Sequence, residues 1–236
     1  MKKIAVAGIL TCLSFITLAG NGPNTPMKIR DRAARPDVPG MFLIEFGINF
    51  IKDEGALDME LLGSRTVNLL YFYDIRIANS NFYFMPGVGL GLERYKFEDN
   101  VKIVRGQWNL PELVELEGEV DKSMLITNYV DLPLEIRFYT NPTDRKRSFN
   151  AGVGLKVGVL YNSHSKVKQK IGKTFKEKVH DDFGINRYRY GLTGRIGIGG
   201  FNAFFFQDMN ELFEDGKADF APKASTFTIG LSFTGF

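Results

Sequence analysis

Met41-Phe42-Leu43-Ile44-Glu45-Phe46-Gly47-Ile48-Asn49-Phe50 decides the fold. Phe42, Ile44, Phe46, Ile48 and Phe50 occupy every second position, with Leu43, Glu45, Gly47 and Asn49 between them. Successive side chains of a strand point to opposite faces, so this spacing gathers the apolar set on one side. A helix would scatter the same residues around its circumference.

Working outward, the same two-residue period recurs seven times. The second segment, about 64–78, sets Val67, Leu69, Tyr71, Tyr73, Ile75 and Ile77 against Asn68, Asp74 and Arg76. In the third, Phe82, Phe84, Val88, Leu90 and Leu92 alternate with Tyr83, Gly87, Gly89, Gly91, Glu93 and Tyr95. The fourth carries Val130, Leu132, Leu134, Ile136 and Phe138 against Thr127, Asp131, Glu135 and Arg137. Pro133 shares that polar stripe and lacks a ladder donor, which predicts a bulge there. Phe149 to Tyr161 forms a fifth stripe against Asn150, Gly152, Gly154, Lys156 and Gly158. The sixth places Tyr188, Tyr190, Leu192, Ile196 and Ile198 against Arg187, Arg189, Thr193 and Arg195. The seventh, about 201–209, is ambiguous in facing because Phe204-Phe205-Phe206 is continuous. In the eighth, Phe227, Ile229, Leu231 and Phe233 alternate with Thr226, Thr228, Gly230 and Ser232.

The connections alternate long and short. Residues 51–63, 98–123, 162–186 and 210–224 are long and read as loops, whereas Asn79-Ser80-Asn81, Asn141-Pro142-Thr143-Asp144 and Gly199-Gly200 are turns. An up-and-down barrel of the outer membrane has short periplasmic turns and longer outer loops, and an even strand count returns both ends to the periplasm. The expected fold is therefore all-β, an eight-stranded antiparallel transmembrane barrel over residues 41–236. A lipocalin-like soluble barrel would turn its apolar stripe inward. Three features favour the opposite: dense uncharged apolar stripes, Gly and charges of both signs on the other stripes, and Tyr and Phe at strand ends.

Composition agrees. The 236 residues suit one domain of this kind, and 21 Phe with 25 Gly suit aromatic strands joined by tight turns. A net charge of +3 argues against a nucleic-acid partner. Residues 1–20 read as an export signal: Lys2 and Lys3 precede the apolar run from Ile4 to Leu18, with small residues near Ala19-Gly20 for cleavage. The run, about 15 residues, is short for a span of about 20. Cys12, the single cysteine, lies inside that run, so a processed chain has no disulfide and no Cys ligand. Residues 21–40 hold Pro23, Pro26, Pro36 and Pro39 without an apolar period and read as a periplasmic linker.

Glu45, Asp74, Arg76, Glu93, Asp131, Glu135, Arg137, Lys156 and Arg195 are expected to point into the lumen. They could form an ion path, but their signs nearly balance and eight strands leave room for side chains only, which favours a salt-bridged plug. Ser163, His164 and Ser165 are the sole candidates for nucleophilic chemistry, on a lipid substrate. With His164 and His180 the only histidines, both in an expected loop, catalysis and metal binding are disfavoured and no cofactor is expected. Gly87-Val88-Gly89-Leu90-Gly91 lacks the helix that a nucleotide-binding glycine run requires. Lys166, Lys168, Lys170, Lys173, Lys176 and Lys178 make the third loop basic, and Glu112, Glu115, Glu117, Glu119 and Asp121 make the second acidic. These loops could pair with each other, meet a protein partner, or hold anionic lipopolysaccharide.

From about Met41 to Phe233 the chain resembles the PorT-like outer-membrane barrels of Bacteroidetes. The resemblance is carried by Val130-Asp131-Leu132-Pro133-Leu134-Glu135-Ile136-Arg137-Phe138, Tyr190-Gly191-Leu192-Thr193-Gly194-Arg195-Ile196-Gly197 and Ile229-Gly230-Leu231-Ser232-Phe233. It implies insertion by the outer-membrane insertase into a shell of outer-membrane lipid, although Thr234-Gly235-Phe236 runs past the aromatic end such a signal would have. The group is defined by barrel pattern, while its namesake serves type IX protein secretion. The functional expectation is a non-catalytic barrel acting through its outer loops. The alternatives are an accessory barrel of that secretion system, a lipid-modifying enzyme and a narrow pore.

Overall fold

The computed structural model describes residues 40–235 except 54, 99, 107, 109 and 172. The expected signal and, apart from Gly40, the expected linker lie outside the described residues. The strands are β1 (Met41–Lys52), β2 (Arg65–Phe72), β3 (Ile75–Arg76), β4 (Phe82–Lys96), β5 (Val101–Arg105), β6 (Pro111–Glu115), β7 (Glu119–Tyr139), β8 (Phe149–Ile171), β9 (Lys173–His180), β10 (Tyr188–Ile198), β11 (Phe201–Asp208) and β12 (Ser225–Gly235). Eight of them close a ring in the order β1–β2–β4–β7–β8–β10–β11–β12. β12 returns to β1 through eleven residue pairs, from Phe42↔Gly235 to Lys52↔Ser225. Every neighbouring pair is antiparallel, so the expected eight-stranded up-and-down barrel is the fold.

The facing is equally clear. Phe46 is 52% exposed and its neighbour Glu45 only 2%. Phe, Ile, Leu and Val of the apolar stripes project outward on every barrel strand, and the alternate stripes fill the interior. A soluble barrel would reverse this. The ambiguous run on β11 resolves with Phe204 and Phe206 inward and Phe205 outward. Glycines make that possible: a Cβ on Gly230 would lie 2.7 Å from the Phe204 ring, and one on Gly191 2.8 Å from Phe206.

The interior is less polar than the alternation implies. Met41, Leu43, Leu70, Phe72, Tyr83, Met85 and Tyr139 form a buried apolar cluster inside the ring, nearer the short turns.

Two long connections expected as loops are instead strands. Residues 98–123 contain the hairpin β5–β6, paired from Val101↔Glu115 to Arg105↔Pro111, and β7 already begins at Glu119. Within 162–186, β8 runs on to Ile171 and β9 returns beside it. The alternation of Lys166, Lys168 and Lys170 with Val167 and Gln169 is itself a strand pattern, with lysine where the barrel strands carry apolar residues.

Pro133 does not mark a bulge. It pairs with Lys156 in unbroken register, and the missing donor shows only as a gap in the β4–β7 ladder between Pro86↔Leu134 and Gly89↔Asp131. The gap is tolerated because Gly87 faces the proline ring, where a Cβ would lie 3.0 Å from Pro133 Cγ. The β7–β8 register shifts at two other places, at Asp121 of β7 and at Tyr161 of β8. Pairing steps from Tyr129↔Leu160 to Asn128↔Asn162, leaving Tyr161 as the extra residue. One extra residue exchanges the faces of everything beyond it. Odd-numbered residues of β8 face outward up to Val159, and even-numbered ones from His164 on.

Candidate functional site

The closed lumen and the structure built over its loop-bearing end are the two places where polar chemistry collects. In the lumen, Arg195 anchors one group. Its guanidinium meets Glu45 at 2.6 Å, Glu135 at 3.1 Å and Ser232 Oγ at 2.6 Å. Glu135 also pairs with Arg137, and Asn68 donates to Glu45 at 2.8 Å. Arg189 anchors a second group nearer the long connections. It grips Asp131 through Nε at 3.2 Å and Nη2 at 2.8 Å, pairs with Glu93, and stacks 3.9 Å over the Tyr129 ring. Lys156 lies 4.0 Å from Asp131 and 3.4 Å over the Phe206 ring, and Tyr95 donates to Glu93 at 2.8 Å.

Five buried carboxylates (Glu45, Glu93, Asp131, Glu135, Asp208) therefore face four buried cations (Arg137, Lys156, Arg189, Arg195). Four of the carboxylates are ion-paired with these cations and can stay ionised away from water, whereas Asp208 accepts from the Thr226 hydroxyl and, among the described residues, has no ion pair. Beside Arg189 and Asp208 the free space is about 10 Å³, room for about one water. The arrangement is a packed polar filling with an apolar layer beneath it.

Seven of the nine residues expected in the lumen lie there, divided between the two groups. Arg76 is a correction: it is exposed beside the first short turn, where its Nε donates to the Ser80 carbonyl at 3.0 Å. The register with β4 is unbroken from Phe72↔Gly87 to Arg76↔Tyr83, so Arg76 keeps the parity of the inward face, but β3 lies at the short-turn rim, where that face opens to solvent. Asp74 sits at the same rim and pairs with Arg145 of the second short turn. The Arg145 guanidinium stacks 4.5 Å over Tyr83 and 4.8 Å over Tyr139. Arg189 and Asp208 complete the filling and were missing from the expected set. Arg189 was legible, since it lies six residues from Arg195 and so on the same face. Asp208 was hidden by the ambiguous phenylalanine run.

Over the other end, the four long connections share one apolar core. Leu57 from the first, Ile103 from the second, Phe183 and Ile185 from the third, and Leu212 and Phe213 from the fourth pack with Tyr95, Phe97 and Leu125 at the strand ends. Backbone bonds stitch them: Ala56 N to the Phe220 carbonyl at 2.8 Å, Glu98 N to Asp58 at 2.9 Å, and Asn186 N to Leu212 at 2.9 Å. Arg105 of β5 pairs with Asp181 and Asp182. The loops thus form a cap with its own core, and Trp108, the single tryptophan, stands 90% exposed between β5 and β6.

The extended β8–β9 hairpin rises beside this cap. Lys166, Lys168 and Lys170 lie along β8, Lys176 and Lys178 along β9, and Lys173 at the start of β9. Asp121 of β7 reaches Lys168 at 2.6 Å and Lys170 at 3.3 Å, so the acidic and basic segments do meet. Hydrogen bonds from those two lysines hold the Asp121 carboxyl below its ordinary range.

His164 and His180 face each other across the hairpin with ring centroids 5.0 Å apart, on strands and not in a loop. The hydrogen-bond partner of His164 Nδ1 is Asn162 Oδ1 at 3.4 Å, not a carboxylate. Ser163 and Ser165 flank His164 in sequence, but alternation turns both to the buried face, where Ser163 donates to the Asp181 carbonyl. The three do not assemble a nucleophile and its base.

Burial, with Lys178, His180 and Lys166 adding to it, pushes the His164 imidazole down to about 4. The unfolded chain, with a histidine near the ordinary value of about 6.5, takes up a proton that the folded hairpin refuses. This contribution to stability is therefore full above about pH 6.5 and falls as pH drops toward 4. In detergent-solubilised protein, the His164 ring resonances should keep their neutral positions down to about pH 5. Titration near 6.5 would refute the packing of His164 against His180 and its flanking lysines.

A family model described as outer membrane protein beta-barrel domain matches residues 44–210. No curated protein matches the chain. Among solved structures, Ail, the attachment invasion locus protein of Yersinia pestis, solved with the heparin analogue sucrose octasulfate, is similar at 14% identity and a TM-score of 0.33. That match covers 83% of this chain and 97% of Ail. A triple mutant of the Rhodopseudomonas blastica porin is similar at 9% identity and a TM-score of 0.21, covering 83% of this chain and 99% of the porin.

Proposed function

The chain belongs to the family of outer membrane protein β-barrel domains, and on that premise we propose that it is a non-catalytic surface-recognition protein that works through its cap. The observation that carries this reading is the common core of the four long connections. Loops that only join strands need no shared core. A core that fixes their relative positions produces one defined surface, and Trp108 stands on it as an exposed aromatic anchor of the kind that dominates binding energy. With short turns in the periplasm, that surface faces outward. The filled lumen supports recognition over conduction.

In this reading residues 1–20 are a cleaved export signal and residues 21–40 a periplasmic linker. The outer-membrane insertase assembles the barrel among lipids, and the chain sits with the PorT-like barrels of Bacteroidetes on the three segments that carry the resemblance.

Photo-crosslinking residues placed at Trp108 and Val114, and separately at Arg76 on the short-turn side, test it in intact cells. The cap positions should give discrete protein adducts and Arg76 none. Adducts at Arg76 alone would overturn the proposal in favour of an accessory role in type IX secretion.

A further inference from the structure

We propose that the outward face of the β7–β8–β9 sheet is a docking surface for phosphate-bearing glycolipid headgroups in the leaflet around the barrel. This rests on the membrane placement above and adds the chemistry of a partner. Because Tyr161 is a bulge, the face that carries Leu155 and Val157 continues past it as His164, Lys166, Lys168 and Lys170. One continuous surface therefore passes from apolar to cationic, as the surroundings of a membrane protein pass from acyl chains to headgroups.

The register stacks the charge. Lys178 stands directly opposite Lys166, and Lys176 opposite Lys168. Lys122 of β7 pairs with Lys168 from the other side, making a row of three lysines across three strands. Like charges directly opposite on one face of a sheet repel. Two successive rows of this kind lower the stability of the hairpin unless anions lie over them.

The acids near this sheet relieve it only in part. Asp121 reaches Lys168 and Lys170, whereas Glu177 of β9 lies on the opposite face and pairs with Lys102 at 3.0 Å. Among the described residues Lys166, Lys176 and Lys178 have no ion pair. A hairpin that merely needed solubility would mix its charges, but here they are sorted by face. Lysines of this density match several phosphates held at a fixed height, which a headgroup layer supplies.

The full-length processed protein is placed in nanodiscs of phosphatidylcholine alone or with added lipopolysaccharide, either phosphorylated or enzymatically dephosphorylated, and lipid retained after detergent extraction is weighed by native mass spectrometry. Phosphorylated lipopolysaccharide should be retained at least about tenfold over the dephosphorylated form. The preference should vanish in the Lys166→Gln, Lys176→Gln, Lys178→Gln variant, whose folding is checked by heat-modifiable gel mobility. In phosphatidylcholine discs the same variant should exchange hairpin amides no faster than the parent, since it has lost only repulsion. Equal retention by parent and variant would overturn the proposal, as would equal retention of both lipopolysaccharides. Uptake of a soluble sulfated glycan by protein in phosphatidylcholine discs, as tight as that of lipopolysaccharide, would assign the face to a soluble partner instead. A chain that stays out of every bilayer would remove the membrane reading and this inference with it. Lost cap crosslinks with intact lipid retention would remove only the recognition role.

Discussion

Replacing Arg189 with methionine should lower the unfolding free energy of the barrel by about 3–5 kcal/mol, measured by urea titration in lipid vesicles. Arg189 is the shared partner of Asp131 and Glu93, and all three are buried. Methionine keeps much of the volume over the Tyr129 ring but leaves two carboxylates in a low-dielectric interior with Lys156, 4.0 Å from Asp131, as the nearby cation. The loss therefore comes from charges left behind more than from contacts removed. The double variant Arg189→Met, Glu93→Gln should recover much of it, because Asp131 then keeps Lys156, 4.0 Å away, as its counterion. A single variant as stable as the parent would mean that water enters the lumen freely. That would reopen the case for a pore.

An arginine at Leu155 should cost about 2–4 kcal/mol in a bilayer. Leu155 is 51% exposed and sits in the middle of the outward stripe of β8, between Leu134 on β7 and Leu192 on β10. If acyl chains cover that stripe, the guanidinium is buried among them and the penalty is close to maximal. The same change at Tyr161, at the border between the apolar and polar parts of the strand, should cost about 0–1 kcal/mol. The contrast between the two positions reports depth. If water covers the stripe, Leu155→Arg becomes harmless and the protein more soluble, and equal effects at both sites would remove the bilayer from the account.

What the sequence alone determined was the barrel and the facing of every barrel strand but β11. A period of two is a local property, readable wherever one stripe is continuously apolar, as in Phe42 to Phe50 or Val130 to Phe138. Long and short connections then set the topology, and pairing with a neighbour leaves little freedom once parity is set. Hidden from that reading were the features that depend on contacts between distant segments. Whether Pro133 needed a bulge depended on Gly87 across the ladder, and a bulge went to Tyr161, where nothing local marks it. That one added residue turned the lysines from one side of β8 to the other. Likewise Leu57, Ile103, Phe183 and Phe213 are isolated apolar residues in polar stretches, each unremarkable alone. Only when the closed ring brings their segments over one opening do they gain enough shared apolar surface to be worth burying together. Alternation is written into each strand by its own backbone geometry. The cap and the sorting of charge are consequences of closure and register, which belong to the whole ring.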